Sequence, residues 1–510
     1  WKERILNCLK DNAQLIIDVI PDIEKIIGPQ MPIQKLPPVE AKNRFNMAML
    51  DFIQIFATKS HPLVLFIDDL QWADIASMKF IEYLVSDAEK RYILLIGAYR
   101  DNEIEEEHSL KFFLEKINKS VRRIKHIQLS PLESWHINKI LCSAFHSTPD
   151  ITMPLAKICH QKTKGNPFFL IQFIYTLKDG KFLWFDRKLK RWVWNEEEIS
   201  RQSVMDNVVY IAINRIKKLP AQTIEILKSV SCINNSFDHV TLSKITGYSL
   251  EETKNNLSKA VEEGFLVYEA GEYNFLHDRI QQAVYSFLDS ETKKHIHMKI
   301  GMLLLEWASE SELKDRIYEI VNHLNCSLDL IKSKEEQEKI MMLNFKAGKK
   351  AKEASAYEKA LEYFCFSIEL LNDDCWINNY SDTLELFIEA AQTAYACTKY
   401  DLMEKLANEA IQNCRNVLDQ ARAYEVMIEA YTIRNDLEKA SEMAKNILRP
   451  LGVKLPAKPT KIHVFLGYLK TKIIKRNKRL EDIMNLKPMK DSKKLMAVKL
   501  LNSMSIASYS

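Results

Sequence analysis

The sequence predicts a mostly α, multidomain chain: a partial α/β core, a helical segment, a winged-helix-like domain and a helical-repeat solenoid. Three observations carry that expectation. Glycine is scarce, with 11 in 510 residues where about 7% is usual, so tight turns and left-handed backbone are few. Short apolar runs of strand type alternate with helical text between residues 63 and 119, the pattern of a parallel α/β sheet. From residue 290 onward the apolar spacing is helical and similar segments recur.

The elements follow in order. Residues 1–60 read as helices broken by a proline-rich link, MPIQKLPPVE, at 31–40, with helical spacing over 43–57 that His61-Pro62 stops. The segment LVLFIDDLQWAD at 63–74 opens with five consecutive apolar residues, expected as a strand buried on both faces. A helix over 77–87, a second buried run YILLIGAYRD at 92–101, a helix near 109–119 and a weaker third strand HIQLSPL at 126–132 complete the core. Residues 133–180 read as helical, interrupted by KTKGNPFFL at 162–170, and FLWFDRKLKRWVW at 182–194 reads as a small hairpin. Short helices at 205–219, 220–233, 240–247 and 249–264 precede a hairpin, FLVYEAGEYNFLH, that turns at Ala270-Gly271. Helices followed by a hairpin is the order of a winged helix.

The segments SAYEKALEYFCFSI (355–368), TKYDLMEKLANEAI (398–411) and RNDLEKASEMAKNI (434–447) resemble one another at offsets of 43 and 36 residues. Small residues recur where paired helices touch, at Ala360, Ala407, Ala410, Ala440 and Ala444. This is an irregular solenoid near the tetratricopeptide class. The Lys/Arg-rich tail at 461–494 reads as a solvated helix face, with contact to an acidic partner or a membrane surface as the alternative.

Composition removes several function classes. Hydrophobic residues at 47% and charged residues at 27% exclude wholesale disorder. A formal charge of +4 over so long a chain gives no case for nucleic-acid binding. No apolar run approaches the roughly 18 residues of a membrane span. The nine cysteines (Cys8, Cys142, Cys159, Cys232, Cys326, Cys365, Cys375, Cys397 and Cys414) form no CxxC pair and read as reduced thiols of a cytoplasmic protein. No signal peptide is expected. A first residue Trp1 and an end inside the helical text LLNSMSIASYS suggest a piece of something longer.

Four places carry candidate chemistry. In LVLFIDDLQWAD a buried strand delivers an acid pair to its C-terminal edge, where ligands of α/β sheets sit. Asp68 is expected to hold a Mg²⁺ shell through water and Asp69 to polarise an attacking water; the plainer reading has both acids cap the strand, with Asp74 opening the next helix. Arg100 ends the neighbouring strand, where a guanidinium suits a γ-phosphate; the plainer reading pairs it with Asp101 or Glu103. In Gly165-Asn166-Pro167-Phe168-Phe169 the proline fixes a turn that suits either an adenine face or an ordinary helix–helix junction. In FLHDRIQQAVY, Asp278 is the expected N-cap, and His277 is either a phosphate donor or a core histidine. No GxxxxGK[ST] phosphate loop occurs, and with three expected strands rather than five this agrees with the first strand, phosphate loop and second strand preceding Trp1. The histidines lack metal-ligand spacing, and GxSxG and kinase HRD or DFG motifs are missing.

The strings LVLFIDDLQWAD, LLIGAYRDNE, KGNPFFL and FLHDRIQQAVY, in that order, closely resemble the ATPase region of large bacterial multidomain kinases. Those proteins join a Ser/Thr-kinase-like domain, a STAND-type, AAA+-related ATPase and helical repeats, commonly followed by GAF and histidine-kinase domains. LIIDVIPDIEKIIGPQ at 15–30 also resembles the family's lead-in to the acidic strand. The resemblance implies residues 1–132 as the C-terminal part of the ATPase core, 133–200 as a helical lid, 201–290 as a winged-helix-like domain and 291–510 as the solenoid. It implies Asp68-Asp69 as the Walker B pair, Arg100 as the sensor arginine, Gly165 and Pro167 as the GxP element near adenine, and His277 as the winged-helix histidine that touches the ADP phosphate. ATP or ADP with Mg²⁺ is the implied ligand, slow hydrolysis the implied reaction, and oligomerisation on ATP binding an implied consequence. The implied function is an ATP/ADP-dependent signalling switch whose solenoid meets other proteins. The rivals are a STAND-type transcription regulator and a non-hydrolytic scaffold; direct DNA binding is not expected, because residues 238–264 carry three Lys against five acids.

Overall fold

The computed structural model describes residues 1–33, 36, 38–86, 92–104, 108–120, 124–201, 215–233, 236–455, 460–475 and 489–503. They form a mostly helical, multidomain chain with small sheets, the fold class that the sequence predicts. The chain divides into two compact units, one of Trp1–Ile124 with Lys332–Ser510 and one of Lys125–Ile331.

The first unit opens with α1 (Lys2–Leu9), α2 (Ala13–Val19), α3 (Asp22–Ile27) and α4 (Pro38–Phe56). Ile5, Leu9, Ile16, Ile27 and Phe52 share one core. Helix α4 starts earlier than the apolar spacing suggests, because proline is tolerated at a first helical position, where no N–H is needed. Strands β1 (Leu63–Ile67) and β2 (Ile93–Gly97) are joined through α5 (Ile75–Ser86) and pair in parallel, in register from Leu63↔Ile93 to Ile67↔Gly97. Helix α6 (Ser109–Ser120) follows, and Leu70, Met78, Ile81, Leu110 and Phe113 pack as the core beside this sheet.

Two sequence expectations are corrected here. The segment 126–132 is not a strand: among the described residues no ladder pairs with it, and Ile127 and Leu129 stand exposed. A strand exists only when a neighbour satisfies its backbone, and apolar alternation cannot supply one. Nor are β1 and β2 buried on both faces. Pleating turns Leu65 and Ile67 toward the helices, while Val64 and Phe66 point the other way and are 55% and 62% exposed.

The second unit begins with α7 (Ser134–Phe145), α8 (Pro149–Thr163) and α9 (Pro167–Asp179), then the expected hairpin β3 (Leu183–Asp186) and β4 (Arg191–Trp194), then α10 (Glu196–Arg201). Leu141, Leu155, Leu170, Leu177 and Ile199 fill its core. Of the helix expected at 205–219, residues 205–214 lie outside the described residues. Helices α11 (Ala221–Ser231), α12 (His239–Thr246) and α13 (Leu250–Glu262) precede the hairpin β5 (Leu266–Glu269) and β6 (Glu272–Phe275). Its two turn residues, Ala270 and Gly271, both have positive φ, 53° and 94°, as a tight two-residue hairpin requires. Helices α14 (Asp278–Ser286), α15 (Ser290–Trp307) and α16 (Glu310–Asn325) complete this unit.

The rest of the first unit holds α17 (Lys334–Glu353), α18 (Tyr357–Glu369), α19 (Cys375–Asn378), α20 (Tyr380–Ala396), α21 (Tyr400–Asn413), α22 (Val417–Ile433), α23 (Leu437–Leu448), α24 (Lys461–Lys475) and α25 (Ser492–Ser503). The repeat is visible in the backbone. Ser355, Thr398 and Asn435 occupy the same turn position, with φ of 59°, 60° and 61°. In each turn the next residue's N–H donates to the carbonyl five residues back, Ala356 to Ala351, Lys399 to Ala394 and Asp436 to Tyr431, all at 2.9 Å. Five residues after each turn, Ala360, Met403 and Ala440 are buried between paired helices. Part of the basic tail, 476–488, lies outside the described residues.

Candidate functional site

Strand β1 ends by delivering Asp68 and Asp69. Asp69 adopts left-handed backbone, φ 51°, which Asp tolerates better than most residues. The turn is clamped to β2: Ala98 N–H donates to the Ile67 carbonyl and Leu70 N–H to the Ala98 carbonyl, each at 2.9 Å. Asp69 N–H also donates to Asp68 Oδ1 at 2.9 Å. Asp74 caps α5 by accepting from Ser77 N–H at 2.7 Å.

Arg100, three residues beyond β2, comes to the same edge. Its Nη2 lies 3.5 Å from Asp69 Oδ1, its Nη1 donates to Glu103 Oε1 at 3.1 Å, and its guanidinium lies 5.6 Å from the centre of the exposed Trp72 ring. Gln71, which sequence reasoning passed over, holds this group together. Its buried amide donates to Asp69 Oδ1 (2.9 Å) and Glu103 Oε2 (3.4 Å), and its oxygen accepts from Arg100 N–H (3.2 Å). The sequence signal was a polar residue inside an otherwise apolar-to-turn junction, where a buried amide needs several partners. Asp68, Asp69 and Arg100 are thus brought together, and the plainer pairing of Arg100 with Glu103 is present alongside.

The other three candidates lie in the second unit. Gly165 has φ +73°, and a Cβ there would come within 2.1 Å of the Leu132 carbonyl oxygen. Leu132 N–H donates to the Gly165 carbonyl at 2.8 Å, so only glycine fits. Pro167 opens α9, and Asn166 caps it by accepting from Phe169 N–H at 3.1 Å. The N-cap of α14 is His277 rather than the expected Asp278: the imidazole Nδ1 accepts from Arg279 N–H at 3.1 Å, and Asp278 is the first helical residue. The Phe168 and His277 rings lie 4.2 Å apart, so the glycine–proline element and the Leu276-His277-Asp278 element meet directly.

Residues 1–96 match the AAA ATPase domain family. The chain is 25% identical to the hybrid signal transduction histidine kinase G of Dictyostelium discoideum over 89% of its own length and 17% of the relative's. It is 21% identical to the peroxide stress-activated histidine kinase mak3 of Schizosaccharomyces pombe, over 83% of this chain and 18% of that one. The resemblance to the ATPase region of signalling kinases is borne out by the AAA ATPase match and the histidine-kinase relatives. A solved STAND protein with a tetratricopeptide repeat sensor, from Pyrococcus horikoshii, aligns over 98% of this chain and 68% of its own at 13% identity and a TM-score of 0.45. The chain therefore spans less than a fifth of the length of these curated relatives. No helix among the described residues is long and apolar enough to cross a membrane.

The AAA ATPase domain family that residues 1–96 match implies a nucleotide, generally with Mg²⁺. Among the described residues no group of three His, Cys, Asp or Glu side chains is arranged to hold a metal ion. Mg²⁺ on a nucleotide needs no such group, since it binds ATP through one or two carboxylates, phosphate oxygens and retained water. Asp68 at the strand edge would be the carboxylate. The bound ion would supply charge neutralisation at the β- and γ-phosphates.

Proposed function

We propose that this signalling ATPase module is an ATP/ADP-dependent switch within a larger sensor kinase. In this reading residues 1–132 form the C-terminal part of the ATPase core, 133–200 a lid, 201–290 a winged-helix-like domain and 291–510 a solenoid that meets other proteins. Asp68 holds the Mg²⁺ shell through water, Asp69 orients and polarises the attacking water, and Arg100 reads the terminal phosphate. Gly165 and Pro167 lie by the adenine and His277 by the ADP phosphate. The chain lacks GxxxxGK[ST], so the phosphate cradle comes from elsewhere in the larger protein. Slow hydrolysis resets the switch, and ATP binding promotes assembly.

The observation that carries this reading is the convergence of Asp68, Asp69 and Arg100 on one edge of a parallel sheet. Ligands of such sheets bind at strand C-termini, and a guanidinium already opposite a carboxylate can exchange that partner for a phosphate of similar geometry. The Phe168–His277 ring contact supports the second half: it joins the two elements that ADP would bridge, and a contact that nucleotide can hold or release is what a switch needs. The names of the relatives favour a histidine kinase as the parent chain. The test is limited proteolysis of the full-length protein in ADP–Mg²⁺ and in a non-hydrolysable ATP analogue with Mg²⁺. A switch gives two distinct cleavage patterns, and Asp68→Ala collapses them to one. Identical patterns with both nucleotides contradict a switch.

A further inference from the structure

Helix α24 (Lys461–Lys475) turns its apolar side chains to water. Phe465, Leu466, Tyr468 and Ile473 are 57–72% exposed, and Leu469 is exposed beside them. At about 3.6 residues per turn, Phe465, Leu466, Leu469 and Ile473 fall within about 100° of one another and form a continuous stripe. The far side is open as well: a Cβ added at Gly467 would meet nothing within 4 Å. Every described side chain of this helix is exposed.

The charge around the stripe is of one sign. Residues 461–480 carry seven Lys and Arg and no Asp or Glu. Helical spacing puts Lys472 at one border of the stripe and Lys470 at the other. Lys472 Nζ lies 5.9 Å from the centre of the Tyr468 ring on that first border. We propose that α24 is an interfacial anchor that lies on an anionic bilayer surface. Phe465, Leu466, Leu469 and Ile473 enter the acyl boundary, and Lys470 and Lys472 meet the lipid phosphates.

Charge complementarity selects this occupant. A protein groove that took the stripe would also desolvate the border lysines, and each would then need a carboxylate. At a bilayer the same lysines lay their stems along the apolar face and keep their ammonium groups among the headgroups. Tyrosine is favoured at that depth for the same reason. The helix lies on the bilayer and does not cross it, since no helix among the described residues is long and apolar enough to span. Fifteen residues of helix are marginal alone in water, so the bilayer stabilises the helix that binds it. One such helix gives reversible attachment, which holds the module at an anionic leaflet without fixing it there. The inference does not depend on the nucleotide reading.

The test is flotation of the full-length protein with vesicles of phosphatidylcholine alone and of phosphatidylcholine with about 30% phosphatidylserine, the anionic lipid of a charged leaflet. Amide hydrogen exchange over 461–475 is read on the same mixtures. The anchor predicts flotation with the anionic vesicles only, weakened by high salt, and slowed exchange over 461–475. Lys470→Gln with Lys472→Gln should weaken binding about thirtyfold, roughly fivefold for each charge. Phe465→Ser with Ile473→Ser should weaken it by about tenfold or more. All four positions are exposed, so thermal unfolding should stay at the wild-type midpoint. No flotation with anionic vesicles, or equal flotation with neutral ones, overturns the proposal. Flotation that survives both pairs of substitutions places the membrane contact elsewhere and overturns it too. Exchange over 461–475 that is already slow without vesicles shows the helix covered by another part of the chain. Exchange slowed by polyglutamate but not by anionic vesicles makes the face a protein-docking one. Either result contradicts the anchor.

Discussion

Asp69 and Arg100 face each other across the C-terminal edges of two adjacent parallel strands, with Arg100 Nη2 3.5 Å from Asp69 Oδ1. The two side chains are 30% and 26% exposed, so the pair itself contributes about 1 kcal/mol or less to stability. Its importance is positional. Glu103 holds the guanidinium beside the acid pair, and Gln71 holds Glu103 and the Arg100 backbone N–H; the whole group sits where a sheet of this kind presents its ligand.

Asp69→Asn should therefore separate folding from chemistry. The unfolding midpoint is expected to move by only a few degrees at most, as a loss of about 1 kcal/mol allows. ATP hydrolysis by the full-length protein should fall by about a hundredfold, the lower range for losing a group that handles the water's proton. Phosphate release and thermal unfolding on the same preparation check this. A large loss of stability with unchanged turnover would make the pair structural.

Gly165→Ala is expected to be severe. The position has φ +73°, and the added methyl would meet the Leu132 backbone at 2.1 Å. Strain at a left-handed position combined with a backbone clash should cost more than about 2 kcal/mol, read as a lower urea midpoint. Gly247, with φ +82° and open space around it, is the control: alanine there should cost only about 1 kcal/mol.

Arg215 is buried in the second unit and is heavily bonded. It donates to Gln172 Oε1 (2.8 Å), the Glu263 carbonyl (2.9 Å) and Asp179 Oδ2 (3.3 Å), and lies 5.0 Å and 5.1 Å from the Tyr175 and Phe265 rings. It ties α9 to the end of α13. Arg215→Met keeps the packing volume but strands these acceptors, so about 2–3 kcal/mol should be lost. Hydrogen exchange should rise in 167–179 and 250–262 together. Exchange rising in one helix alone would show that the arginine does not couple them.

His323 predicts a pH dependence. Its Nδ1 lies 2.8 Å from His297 Nδ1, and the Tyr285 hydroxyl lies 3.4 Å from His297 Nε2. Burial, then His297, pushes the His323 pKa down from 6.5 to about 4, with Glu319 opposing; burial, then Lys293, lowers that of His297. The folded state binds this proton less readily than the unfolded state. Its stabilising share is therefore complete above pH 6.5 and is lost as the pH falls toward 4, by roughly 3 kcal/mol at most. In thermal unfolding between pH 7 and 4.5, His323→Leu should show a shallower decline than wild type. Equal slopes would place the acid sensitivity elsewhere.

The sequence made the local elements legible wherever chemistry acts over a few residues. The Ala270-Gly271 hairpin, the Asp74 cap and the recurrence of the segments 355–368, 398–411 and 434–447 all follow from short-range rules. Expectations that depend on distant partners fared differently. HIQLSPL has strand composition but no paired strand among the described residues, and the two-faced burial of β1 needed a second layer that no local pattern encodes. At the site, Asp68, Asp69 and Arg100 were readable because each ends a strand. Gln71 and the Phe168–His277 contact were not, since their partners lie 32 and 109 residues away at the farthest. His277 takes the cap position because the helix starts at Asp278, one residue earlier than expected, and the two side chains share the Arg279 N–H, at 3.1 Å from His277 Nδ1 and 2.9 Å from Asp278 Oδ1.

The most direct test of the central claim is a titration of the full-length protein with fluorescent ADP, with and without Mg²⁺, beside Asp68→Ala and Arg100→Ala. The account predicts saturable binding that Mg²⁺ tightens in the wild type, loss of the Mg²⁺ effect in Asp68→Ala, and loss of preference between ATP and ADP in Arg100→Ala. Wild-type protein that binds neither nucleotide, or binding untouched by both substitutions, would contradict it.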